Sequence, residues 1–138
     1  MNFQTSIDEG YAKKIRPDLF KARSLIKASE EAIATASKIL QKEESYKSIL
    51  RELYEGLRQY CEAIGFLKGY KFMSHEAITY FTDEVLAEKT VSLKFDKYRK
   101  IRNGINYYGD DVAPETVKEA LKEIPEIIKV LSRHVKFA

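Results

Sequence analysis

Arginine, asparagine and tyrosine crowd into one stretch of this chain. Lys94-Phe95-Asp96-Lys97-Tyr98-Arg99-Lys100-Ile101-Arg102-Asn103-Gly104-Ile105-Asn106-Tyr107-Tyr108-Gly109 carries five basic residues against one acid, with three tyrosines among them. A guanidinium forks onto phosphate oxygens, and an aromatic ring offers a face on which a base can stack. The same charges also suit a solvated helix face laced with ion pairs. At about 100° per residue, Arg99, Arg102 and Asn106 share one flank of a helix bordering an apolar stripe of Tyr98, Ile101 and Ile105. Lys97 and Lys100 take the other flank. Asn103, Gly104 and Asn106 place three poor helix formers within four positions, at a cost of roughly 2 kcal/mol relative to alanine. A merely structural helix has no evident reason to carry that cost. Binding of a phosphate-bearing ligand by Arg99, Arg102, Asn103, Asn106 and Tyr107 is the chemistry the pattern favours.

Other chemistry is poorly served. His75 and His134 fall in different segments and neither has Glu-x-x-His spacing, so neither a metal site nor a cofactor is expected. His75 reads as polarity in a capping turn, with no spacing argument tying it to Arg102, and His134 as a partner for the negative end of the last helix. Cys61 lies beside an apolar stripe without a neighbouring base, where a thiol acts as a small hydrophobe. The sequence holds neither a glycine-rich phosphate loop nor a serine nucleophile elbow.

The elements that must position these residues are helical. Asp18 caps a helix after Pro17, along which Leu19, Ala22, Ile26, Ser29, Ile33, Ala36 and Leu40 recur at spacings of three and four. A second helix starts near Glu43 or Glu44 and repeats the pattern from Tyr46 through Leu53 and Leu57 to Leu67. Joined by a short polar turn, the two should pack antiparallel. Gly69–Met73 connects to a shorter helix capped by Ser74, with Ala77, Ile78, Phe81 and Val85 on one face. Phe95, Tyr98, Ile101, Ile105 and Tyr108 form the next stripe, which puts Tyr108 in the core, leaves Tyr107 freer, and ends where Gly109 closes the helix left-handedly. Pro114 opens a last helix burying Val117, Leu121, Ile124, Ile128, Leu131 and Val135, with a kink expected at Pro125. Met1–Ala12 reads as an arm or short helix, and no segment alternates with a period of two. The expectation is an all-α, up-and-down four-helix bundle with additional short helices.

Composition sets outer bounds. A chain of 138 residues, 44% of them hydrophobic, fills one domain over 1–138. Lys and Arg number 24 against 21 Asp and Glu, a formal charge of +3, so any basic surface must be local. One cysteine, the lack of a charged-then-apolar leader and the absence of an apolar run near about 18 residues lead us to expect a cytoplasmic protein with no membrane association.

The chain resembles the HEPN superfamily of helical, nucleotide-binding proteins found in toxin–antitoxin systems and RNA processing. The likeness runs through Asp18-Leu19-Phe20-Lys21-Ala22-Arg23, the Gly69-to-Ala77 connector, and Arg102-Asn103-Gly104-Ile105-Asn106-Tyr107-Tyr108. The resemblance implies a homodimer whose paired motifs, Arg followed by a polar residue and then His four to six residues after the Arg, share one cleft and in many members cut RNA without metal. Here Arg102 and Asn103 match, and Tyr107 or Tyr108 stands where the histidine would. Tyrosine, with an ordinary pKa near 10 against about 6.5 for histidine, is a poor general base at neutral pH, and its loss typically removes a factor of about 10² to 10⁴. Arg102 and Tyr107 also project about 140° apart on a regular helix, so meeting requires a distortion at Gly104 or a second copy across a two-fold axis, and the resemblance favours the dimer. It further implies a minimal nucleotidyltransferase as partner, with Tyr107 or Tyr108 as the nucleotidylation acceptor. Three functions follow as expectations. The leading one is an RNA-, nucleotide- or partner-binding protein with a degenerate motif, a component of a toxin–antitoxin pair. The others are a metal-independent endoribonuclease, with Arg102, Asn103 and Tyr107 catalytic, and a structural helical interaction module.

Overall fold

Helix α3 (Tyr46–Lys68) is the axis about which the other elements are arranged in the computed structural model, which describes residues 1–137. Ile49, Leu50, Leu53, Tyr54, Leu57, Tyr60, Cys61 and Ile64 are all buried along it, so apolar neighbours surround it on several sides. Helix α2 (Leu19–Lys38) starts as its sequence indicates: the Asp18 carboxylate accepts from the Lys21 N–H at 2.9 Å, satisfying one of the free donors of the first turn. The Asp18 N–H donates to the Phe66 carbonyl at 3.0 Å and the Ser29 hydroxyl to the Gly56 carbonyl at 2.6 Å, so α2 and α3 run antiparallel. A Cβ on Gly56 would sit 2.7 Å from the Ile33 Cδ1 and 3.2 Å from the Ser29 carbonyl oxygen, which is why glycine stands at this crossing. The spacing overreaches at both ends of α2. Leu19 is exposed, and Leu40, beyond the helix end, is 67% exposed in the turn to α3.

Helix α4 (His75–Tyr80) runs into a π-turn at Phe81–Val85, followed by α5 (Lys89–Tyr108) and α6 (Pro114–Leu131). The Ser74 hydroxyl caps α4 by accepting from the Ala77 N–H at 3.2 Å. Helix α5 runs antiparallel to α3: Arg51 meets Asn106 at 2.7 Å, and Arg102 lies over the Tyr54 ring. Helix α6 presses Val117, Ala120, Ile124, Ile127 and Leu131 into the core, while Lys94, Lys97 and Tyr98 of α5 reach across to Glu119 and Glu123 on its surface. The fold is all-α, and among the described residues no helix is long and apolar enough to cross a membrane.

Several local expectations are refined by the structure, and those for Val85 and Val135 are corrected. Of the two readings of Met1–Ala12, the short helix holds: α1 (Phe3–Asp8) docks with Phe3 buried against the rings of Tyr70 and Phe81. The π-turn inserts an extra residue per turn, rotating Val85 out to 38% exposure. Helix α6 runs from Pro114 to Leu131 with Pro125 inside it, between buried Ile124 and Ile127. Val135 falls beyond its end. Strands β1 (Ala12–Lys14) and β2 (Tyr70–Phe72) pair antiparallel, Ala12 opposite Phe72 and Lys14 opposite Tyr70. Gly69, left-handed at φ 88°, ends α3, and the Ile15 N–H donates to its carbonyl at 2.8 Å. This small ladder fixes the direction in which the chain enters α4, and therefore the position of His75.

Candidate functional site

The charged stretch Lys94–Arg102 of helix α5 resolves into pairs with one exception. Lys94 reaches Glu123 at 3.2 Å, Lys97 reaches Glu119 at 2.9 Å, and Asp96 takes both Arg99 at 2.7 Å and Lys100 at 2.9 Å. These four cations form the ion-paired face that such a sequence ordinarily makes. Arg102 makes no ion pair among the described residues. Its Cζ lies 5.6 Å from the centroid of the Tyr54 ring, within cation–π range, and its Nη1 donates a long hydrogen bond of 3.4 Å to the Asn103 Oδ1. The guanidinium therefore retains most of its five donors.

Tyr54 forms the floor beneath it. The side chain is 1% exposed, packs against Phe95 with centroids 5.6 Å apart, and places its hydroxyl 3.0 Å from the His75 Nδ1. Burial pushes the phenol well above its ordinary range, against the pull of Arg102 and Arg58, so the hydroxyl keeps its proton. One side chain thus touches two others: the ring face meets Arg102, and the oxygen meets His75.

Between the start of α4 and the flank of α5 lies an open cleft of about 360 Å³, lined by His75, Glu76, Arg99, Arg102, Asn103 and Tyr107. That is the lower end of the range of roughly 300–1,000 Å³ in which small ligands are held. Burial pushes His75 down to about 4, with Arg58 and Arg102 adding to the effect, so the imidazole is neutral at physiological pH. Glu76 contributes the acidic part of the rim and accepts from the Tyr80 hydroxyl at 3.3 Å.

Of the residues singled out from sequence, Arg99, Arg102, Asn103 and Tyr107 line this one cleft. Arg99 does so with its guanidinium engaged by Asp96 through two bonds of 3.0 and 2.7 Å. Asn106 lies outside the cleft, exposed, with its side-chain oxygen accepting from the Arg51 Nε at 2.7 Å. Arg102 and Tyr107 both line this cleft along an unbroken α5, without a contact between their side chains among the described residues. Tyr107 is 70% exposed. Tyr108, expected in the core, is 81% exposed because α3 faces this end of α5 with Lys47 and Arg51 rather than with apolar side chains.

Sequence reasoning missed His75 and Tyr54 as parts of the site. The available signal for Tyr54 was a tyrosine next to the α3 stripe, whose hydroxyl needs a partner once buried. His134 pairs with the Glu88 carboxylate at 2.7 Å, across the chain rather than with its own helix end. Among the described residues no group of three or more His, Cys, Asp and Glu is placed to hold a metal ion. Cys61 is fully buried and burial pushes its thiol well up, which leaves it inert as a nucleophile. A larger hollow of about 510 Å³, lined in part by Glu88, Lys94 and Arg133, offers less chemistry: Glu88 is taken by Arg133 and Lys94 by Glu123. Comparisons of this chain with protein-family models, with curated proteins and with solved structures find no match.

Proposed function

We propose that this protein binds a phosphate-bearing ligand, an RNA strand or a nucleotide, in the cleft around Arg102, as a HEPN-like domain with a degenerate motif. The observation that carries the reading is the state of Arg102: of the five cations from Lys94 to Arg102 it alone makes no ion pair among the described residues, and it lines a cleft. A half-buried guanidinium without a counter-charge is costly to keep unless a ligand supplies one. Asn103 extends the polar lining, Arg99 adds positive potential, and the exposed ring of Tyr107 at the rim offers a stacking face. A second copy of the chain and a minimal nucleotidyltransferase are the protein partners to seek, with Tyr107 and Tyr108 as open acceptor hydroxyls.

A metal-independent endoribonuclease is the second reading, favoured by one feature: His75 stands in the same cleft as Arg102. A histidine pushed down to about 4 is a weak base and is uncharged at neutral pH, which argues for binding over cleavage. Both readings are tested with a single-stranded RNA oligomer. Fluorescence anisotropy should show affinity falling with salt, with a log–log slope of about −0.7 per phosphate neutralised, and Arg102→Ala should weaken binding about tenfold or more. Incubating the RNA with excess protein in EDTA should leave it intact. Cleavage abolished by Arg102→Ala would establish the nuclease instead, and binding indifferent to salt and to Arg102→Ala would leave the helical interaction module as the better account.

A further inference from the structure

Resting on that reading, we infer that His75 is a ligand-binding residue of the same cleft, presenting its Nε2–H to a phosphate oxygen beside Arg102, with Tyr54 as the positioning residue that fixes the ring. The argument starts from hydrogen-bond bookkeeping. The Tyr54 hydroxyl is buried, and the His75 Nδ1 at 3.0 Å is its one hydrogen-bond partner among the described residues. A buried phenol that keeps its proton must place it on an acceptor, so Tyr54 donates and Nδ1 carries a lone pair. In a neutral imidazole the proton then sits on Nε2. That nitrogen has no partner among the described residues, and the ring lines the cleft.

Asn103 behaves in the same way. Its Oδ1 is turned to the Arg102 Nη1, which leaves the amide N–H groups for a ligand. Arg102, His75 and Asn103 therefore offer donors, one of them charged, on one side of a small cleft. Phosphate oxygens, which only accept, match that set. Free nucleotides and RNA share this chemistry.

Because His75 is neutral, its contribution is a hydrogen bond rather than a charge, and this separates it from Arg102 experimentally. Affinity for 5′-AMP and for an RNA hexamer without terminal phosphates is measured against salt on the full chain. His75→Leu should weaken binding about fivefold to tenfold at every salt concentration without changing the slope, whereas Arg102→Ala should lower the slope for the RNA hexamer by about 0.7. His75→Gln should restore most of the loss, since its amide accepts from Tyr54 and donates to the ligand as the fixed imidazole does. Tyr54→Phe should weaken binding about threefold. In ¹⁵N spectra of labelled histidine it should also convert the single Nε2-protonated form of His75 into a mixture. An effect seen with 5′-AMP assigns the contact to a mononucleotide phosphate, and one seen with the hexamer alone assigns it to a chain phosphodiester. Adenosine affinity should be unaffected by any His75 variant. If both probes bind and weaken on Arg102→Ala but not on His75→Leu, the inference about His75 is overturned while the cleft reading stands. If His75 proves protonated on Nδ1, the inference is likewise overturned. If wild-type protein binds neither probe, both fail.

Discussion

Four of the five cations between Lys94 and Arg102 sit in ion pairs, and that pairing decides what each substitution should do. Arg99 is bound to Asp96 through two nitrogens, so Arg99→Ala removes a guanidinium whose forked donors Asp96 already holds, and RNA affinity should fall by less than about threefold. Arg102→Lys should recover only part of what Arg102→Ala loses, because an ammonium keeps the charge but not the planar fork that lies on Tyr54. His75 carries a separate prediction about stability. It faces Tyr54, Glu55 and Arg58 from α3, Arg99 and Arg102 from α5, and Glu76 on its own helix, and it is held near 4 when folded against about 6.5 when unfolded. Between those values the unfolded chain binds more protons, so stability rises with pH across this window and is lost on acidification through it. The loss is at most about 3 kcal/mol, reduced by solvent screening since the ring is partly exposed. In melting curves taken between pH 7 and 4, His75→Gln should show a smaller drop than wild type. At this scale Arg102 and Asn103 were legible because one short segment held the whole signal. His75 and Tyr54 were not, because only the packing of α4 and α5 on α3 brings them to that segment.

The elements explain one apparent anomaly of sequence. Gly104 costs helix propensity in the middle of α5, and the structure gives a local reason for it: the Asp110 N–H bonds the Gly104 carbonyl at 3.1 Å, and the Asp110 carboxylate fills the space of a Cβ, at 2.6 Å. The glycine therefore says nothing by itself about a ligand. Asp110 is exposed and its carboxylate is free to swing away, so Gly104→Ala should stabilise the fold by about 0.5–1 kcal/mol in urea titrations and leave RNA binding intact. The cap at the start of α4 works the other way: Ser74→Ala should cost about 1 kcal/mol and loosen His75, weakening binding along with stability. The long helices were legible because their apolar residues recur at spacings of three and four, which only a buried helical stripe explains. Strands β1 and β2 were not, since three residues each are too few to show alternation. The π-turn at Phe81–Val85 was hidden for a different reason, because Ala77, Ile78, Phe81 and Val85 keep the spacing of an uninterrupted α-helix across it.

For the molecule as a whole, α3 unites stability and function, since the helix that fills the core also supplies the floor of the cleft. Leu53→Ala, fully buried beside Tyr54, should cost about 2 to 5 kcal/mol by opening a cavity, whereas Arg102→Ala should melt within a few degrees of wild type. Retained stability with lost binding is thus the signature of the site, and joint loss the signature of the core. The account rests on a guanidinium that is free in the folded chain and taken up by phosphate. The most direct measurement is the ¹⁵N-detected titration of the arginine Nε–H groups with 5′-AMP and with the RNA hexamer. The Arg102 resonance, assigned through Arg102→Lys, should move on addition of ligand, while those of Arg58 and Arg133, whose Nε–H groups each bond a carboxylate outside the cleft lining, should stay in place. An Arg102 resonance that does not move while ligand binds would contradict the account.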